Sequence, residues 1–172
     1  MYRQFVANGN RQRNKMNNKT DEFDLIKLGN QLCFPLYACA KEVIRRYRKP
    51  LESINLTYTQ YIVMMVLWEF GAMNEKQLGK QLYLDSGTLT PLLKRLEKIG
   101  YIKRKRKIDD EREVEVSLTD VGEALKKDAL KVPQVLKDCI ALSYDEMITL
   151  RTLLNKALTR IDKEKEKPNE HL

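Results

Sequence analysis

From about Asp24 to Leu51 apolar residues recur at helical spacing, with Leu28, Leu32, Leu36, Val43 and Tyr47 suited to one face. Asn55-Leu56-Thr57 then introduces a second helix. Thr57 and Gln60 stand at capping-box spacing, Tyr61, Ile62, Met65, Val66 and Trp68 supply apolar surface, and Gly71 closes it. Asn74 and Gln77 repeat the cap ahead of a short helix carrying Leu78 and Leu82. Residues 85–100 (DSGTLTPLLKRLEKIG) open on cap residues and end on Gly100, with Leu89, Leu92, Leu93, Leu96 and Ile99 on one stripe. Proline is unsuited to a helix interior, so this helix is expected to begin near Ser86–Thr88 with Pro91 in or near its first turn.

The period then changes. Residues 101–104 read as a short strand, and residues 113–118 (EVEVSL) alternate with period two. A charged turn, 105–112, joins them into a two-stranded β-ribbon. Thr119 caps a following helix that Pro133 is expected to bend near its middle, and Ser143 with Glu146 starts a terminal helix running to about Lys165. The predicted class is mainly α with a small β-ribbon: four helices, two strands, two helices, and no internal repeat.

Composition adds bounds. A chain of 172 residues, 42% hydrophobic and 33% charged, suits one globular domain. No apolar run is long enough to span a membrane, and the polar N-terminus predicts no secretory signal. Cys33, Cys39 and Cys139 are too few and too scattered for a disulfide framework, so a reducing, cytoplasmic setting is expected.

Charge changes the picture more. The net charge is +8, yet residues 94–107 alone hold eight Lys/Arg against one Glu, and residues 1–20 hold five Lys/Arg and no acid. The positive field is therefore concentrated, as on a phosphate-binding surface. A solvated basic face is the blander alternative. Residues 1–20 read as a flexible basic arm, 21–165 as a single domain and 166–172 as a tail.

Two short helices followed by a ribbon make the winged form of helix-turn-helix, placed at about 55–118. Ser86, Thr88 and Thr90 stand at the start of the second short helix, where hydroxyls reach base edges and backbone N–H groups hold a phosphate. Lys94 and Arg95 follow a turn or more later, suited to phosphates or guanine edges. Arg104 lies on the ribbon and Arg112 at its tip, where an arginine can enter a narrow minor groove. These seven residues are the candidate DNA contacts.

The pattern DxRxxxxxLT, here Asp110, Arg112, Leu118 and Thr119, resembles the MarR (multiple antibiotic resistance regulator) family across roughly Leu25 to Ile161. That resemblance implies a homodimer intertwined through its N- and C-terminal helices, 21–54 and 119–165 here. A two-fold dimer in turn implies an inverted-repeat operator in double-stranded DNA.

Three stretches narrow the resemblance: residues 30–37 (NQLCFPLY), 56–61 (LTYTQY) and 82–91 (LYLDSGTLTP). Together they are similar to the organic hydroperoxide resistance regulators, with departures at Pro35 and in one extra residue between Tyr47 and Pro50. The resemblance implies that Cys33 is the peroxidatic cysteine, that Tyr47 and Tyr58 from opposite subunits hydrogen-bond its sulfur, and that Tyr37 shares the pocket. It also puts Cys139 near the resolving cysteine of two-cysteine members. A buried apolar filler is the equal alternative for Cys139; for Cys33 the alternative set aside is a buried structural cysteine.

The residues supply their own argument for Cys33. Peroxide sensing needs a thiolate, and a helix beginning near Asn30 would put Cys33 in the positive end of its dipole. Cys39, about 9 Å further along a helix and on another face, cannot reach Cys33 and reads as packing.

The reading is thus a DNA-binding transcription regulator and not an enzyme, a repressor released when organic hydroperoxide oxidises Cys33. No cofactor and no metal are expected, since no His/Cys cluster has ligand spacing. Two other readings stand. A MarR-type regulator released by a small aromatic ligand would need no cysteine. A thiol-dependent peroxidase would need a second acid or base, and the single histidine, His171, sits in the charged tail.

Overall fold

The computed structural model describes residues 22–106, 113–134 and 140–165. The chain divides into two compact units, Met1–Val135 and Leu136–Leu172.

In the first unit, 3-10 turns at Glu22–Ile26 and Leu28–Asn30 precede helix α1, Cys33–Glu52. The continuous helix expected from Asp24 is therefore broken, and Leu28 and Leu32 lie outside it. Pro35 accounts for the break. It has no N–H for the carbonyl of Gln31 and its ring crowds that carbonyl, so α1 can start no earlier than the turn holding Pro35. Gln31 is extended, with φ −87° and ψ 124°.

Helix α2 spans Tyr58–Phe70. Its capping box forms as read: Gln60 N–H donates to the Thr57 hydroxyl, and the Gln60 side chain accepts from Thr57 N–H at 2.8 Å. Strand β1, Met73–Asn74, leads into α3, Glu75–Leu82, where Asn74 and Gln77 form the same reciprocal pair at 2.7 and 3.1 Å. Helix α4 is Ser86–Lys98, so Pro91 is its sixth residue, two past the first turn. Gly71 and Gly100 take φ of +75° and +83° at the ends of α2 and α4, which favours glycine.

Strands β2, Ile102–Arg106, and β3, Val114–Leu118, pair antiparallel with Arg104 opposite Val116. The sheet has three strands rather than two, because β1 adds to the free edge of β3 through Met73 opposite Val116. Asn74 thus ends a strand and caps a helix together, and a two-residue strand leaves no alternation to read. After Thr119 come α5, Asp120–Ala124, and α6, Lys126–Ala129. The helix expected to bend at Pro133 is interrupted at Leu125 and again over 130–133, with helix resuming at Gln134. Pro133 cannot donate to the Ala129 carbonyl, which accepts from Val132 N–H at 3.1 Å.

One core joins these pieces. Val63, Met64 and Leu67 of α2, Leu78 of α3, Leu89, Leu93 and Leu96 of α4, Ile102 of β2 and Val116 of β3 are fully buried. Each contributes about 1.5–3 kcal/mol by leaving water. Of α1, only Tyr47 and Leu51 join the buried set. Phe23, Leu25, Ile26, Leu32 and Leu36 remain exposed.

The second unit holds α7, Tyr144–Lys165, started by the predicted box in which Glu146 accepts from Ser143 N–H at 2.8 Å. Leu150, Leu153, Leu154, Leu158 and Ile161 are exposed along it. No helix among the described residues is long and apolar enough to cross a membrane.

Candidate functional site

The turn between α3 and α4 sets the angle of the two helices. Tyr83 closes α3 in the left-handed conformation, φ 56° and ψ 35°, and Leu84 N–H returns to the Gly79 carbonyl at 3.0 Å. A Cβ on Gly79 would stand 2.8 Å from the Leu84 carbonyl oxygen, so only glycine lets the turn close. Sequence reasoning missed this glycine, which looks like an ordinary helical residue.

Asp85 caps α4. Its carboxylate accepts from Thr88 N–H at 2.8 Å and from the Thr88 hydroxyl at 3.0 Å. The Thr88 backbone donor, with its hydroxyl, holds Asp85 below the usual carboxylate range. Ser86, Thr88, Lys94 and Arg95 are exposed and Thr90 is half-buried, while Leu89, Leu93 and Leu96 face the core. The helix therefore leaves small hydroxyls near its start and cations further along accessible, outside the leucine stripe that faces the core.

Arg104 is different. Its guanidinium lies 2.6–2.9 Å from Glu75 Oε1 and 3.7 Å from Glu97 Oε2, and its backbone N–H donates to Glu97 Oε1 at 3.1 Å. The candidate DNA contact is turned inward between α3 and α4. Lys103, Lys105 and Arg106 are exposed. Arg112, with Asp110, falls outside the described residues.

Thr119 ties the wing to α5. Its hydroxyl donates to the carbonyl of Gly100 at 2.6 Å and accepts from Gly122 N–H at 3.0 Å. Beside it the sole tryptophan, Trp68, donates its indole N–H to the Gly122 carbonyl at 2.9 Å.

Trp68 ends a row of aromatic rings. Tyr58 meets Tyr47 edge-on at 5.4 Å between centroids, Tyr47 lies 6.3 Å from Tyr61, and Tyr61 lies 6.3 Å from Trp68. Burial, then the neighbouring Tyr58 and Tyr61, push the Tyr47 phenol up to about 12. Tyr61 is raised as well, again mainly by burial. Tyr47 and Tyr58 thus form one pair within the chain.

Cys33 is exposed at the first position of α1, where Leu32 supplies no side-chain cap, and its Sγ lies 3.9 Å from Gln31 Oε1. Tyr37 is exposed, with the Lys41 ammonium 5.8 Å above its ring. Cys39, expected to pack, is exposed in the single chain. Cys139 lies outside the described residues. Among those described, no group of His, Cys, Asp and Glu could hold a metal ion.

Comparison with known proteins gives this arrangement its relatives. Residues 45–129 match the family model for the transcriptional regulator SarA/Rot. The organic hydroperoxide resistance transcriptional regulator of Bacillus subtilis (strain 168) is 45% identical over 134 residues, covering 78% of this chain and 91% of that protein. Reduced AbfR bound to DNA, a protein of Staphylococcus epidermidis, superposes with a TM-score of 0.71 at 31% identity, over 85% of this chain and 100% of that one. AbfR has also been solved overoxidised on DNA and in a disulfide form, with TM-scores of 0.67 and 0.58 at 33% identity, over 82% and 80% of this chain and 99% and 94% of those chains. A mutant MarR from E. coli complexed with operator DNA superposes at 0.66 and 27% identity, over 81% of this chain and 99% of that one. With the winged helix-turn-helix and these relatives together, the chain belongs to the MarR family of DNA-binding transcription regulators.

Proposed function

We propose that this regulator is a homodimeric repressor that senses organic hydroperoxides through Cys33 and releases operator DNA when that thiol is oxidised. One observation carries the reading. Cys33 opens α1, and the buried Tyr47 with its partner Tyr58 stands near the other end of that helix, roughly 21 Å away at about 1.5 Å per residue. A cysteine and a phenol pair so separated can meet only between two copies, with α1 of one chain laid against α1 of the other. The apolar residues left exposed before and along α1 and on α7 give such a dimer its surface.

The chemistry follows from the groups. The Cys33 thiolate attacks the distal oxygen of R–OOH; the O–O bond breaks, R–O⁻ leaves and takes a proton, and the sulfur becomes a sulfenic acid. A second thiol, from Cys139 of the other chain or from a small cellular thiol, then displaces hydroxide as water and forms a disulfide. Tyr47 stays protonated at neutral pH, so its O–H can donate to the sulfur without adding charge. The disulfide removes that acceptor and adds bulk in the dimer core, moving the two α4 helices off the spacing of one DNA turn. A loss of ~3–4 kcal/mol lowers affinity several hundredfold or more. The hydroperoxide-resistance name of the Bacillus subtilis relative and the oxidised forms of AbfR support this reading.

Operator binding by reduced and hydroperoxide-treated protein tests it, beside Cys33→Ser. The variant should stay on DNA after treatment. If it leaves, the redox reading is wrong and release by a small ligand replaces it. Non-reducing electrophoresis separates the two thiol routes, because only the Cys139 route gives a covalent dimer.

A further inference from the structure

Among the described cations of the wing, Arg104 stands apart, and its setting is costly for a DNA-binding surface. Glu75 is the first residue of α3, Glu97 lies in the last turn of α4, and Arg104 is the middle residue of β2. Two carboxylates against one guanidinium leave a local excess of negative charge beside elements that face a polyanion. Arg104 and Glu75 side chains are only 15% and 21% exposed, and Ile102, on the same face of β2, is buried.

We propose that Arg104 is a positioning residue of the DNA-binding surface: by bridging Glu75 and Glu97 it fixes the wing against both helices of the helix-turn-helix. The inference rests on the assignment of α3, α4 and the wing as the DNA-contacting elements. The planar guanidinium reaches the two carboxylates from different edges, Nε and Nη2 toward Glu75 and Nη1 toward Glu97. A lysine ammonium, a single point on a flexible stem, does not reproduce that fork. Lys103 and Lys105, which point to the other face of the strand, keep the electrostatic attraction whether or not the bridge exists.

The test compares Arg104→Lys, Arg104→Gln and Glu75→Gln with the native chain, each assayed below the onset of its thermal unfolding. The probes are a duplex recovered by in vitro selection with the native protein and a scrambled duplex of equal length. Both Arg104 variants should lose affinity for the selected duplex on the order of tenfold, the size of one charge-assisted contact. Affinity for the scrambled duplex and its salt slope should not change. Glu75→Gln should weaken selected binding too, although it removes a negative charge. The proposal fails if Arg104→Lys binds as the native chain does. It also fails if Arg104→Gln weakens both duplexes with a salt slope smaller by about one, the mark of a phosphate contact, or if Glu75→Gln tightens both. Should Arg104→Gln not fold, the other two variants decide between these outcomes. A native chain that distinguishes no duplex sinks the DNA assignment and this inference together.

Discussion

The indole N–H of Trp68 donates to the carbonyl of Gly122, joining the end of α2 to α5, the helix that follows the wing. The contact works only because position 122 has no side chain. A Cβ there would overlap the Tyr101 carbonyl. Gly122→Ala should therefore cost about 3 kcal/mol or more, since the obstacle is backbone and cannot rotate away. Gly29→Ala, with nothing within 4 Å of the added carbon, should stay within about 0.5 kcal/mol. Denaturant unfolding of the two variants checks the contrast, and equal losses would show that the Trp68–Gly122 junction is slack.

Alkaline stability should report on Tyr47. Its phenol is pushed from 10.0 up to about 12 by burial and then by Tyr58 and Tyr61. Between those values the unfolded chain gives up a proton that the folded chain keeps. The contribution is therefore fully present below about pH 10 and is lost as pH rises toward about 12. Tyr47→Phe has no proton to lose, so the native protein should lose stability relative to it across that window. Parallel curves for the two proteins would contradict the burial argument.

Asp85 gives a prediction at the other end of the pH scale. Thr88 N–H and hydroxyl hold its carboxylate low, so the cap is present above the unfolded value of 3.8 and is lost as pH falls through the lower folded value. Asp85→Asn keeps an acceptor for Thr88 and removes a negative charge beside DNA, and should bind DNA as well as the native chain or better. Asp85→Ala removes the acceptor and should bind less well. Titration of duplex by fluorescence anisotropy orders the three, and a weaker Asn than Ala variant would discount the cap.

Affinity for DNA should fall steeply with salt, because exposed Lys94, Arg95, Lys103 and Lys105 displace condensed counterions. Lys94→Gln should reduce the slope of log K against log salt by about 0.9 if its ammonium meets a phosphate. An unchanged slope would take Lys94 out of the interface. Arg112→Ala, at the wing tip by sequence, should weaken operator binding by ~1–3 kcal/mol.

Local chemistry determines much of this protein from the sequence alone. The reciprocal caps Thr57–Gln60, Asn74–Gln77 and Ser143–Glu146 and the closing glycines Gly71 and Gly100 involve residues at most a few positions apart, so their spacing specifies them. The leucine stripe of α4 and the alternation of β3 are likewise periodic and visible in one dimension. Contacts distant in sequence were not visible. Nothing in KRKRK marks Arg104 as turned inward, because that depends on Glu75 and Glu97 being carried to one edge of β2 by the turn at Gly79 and Tyr83. The strand at Met73–Asn74 exists only because β3 offers it an edge. Tyr47 and Tyr58 become neighbours, and Cys33 is held away from both, because a rigid helix separates residues 33 and 47 while the turn after it folds residue 58 back. The order of residues determines what each can do by itself or with near neighbours; only packing decides which distant charge, ring or carbonyl it meets.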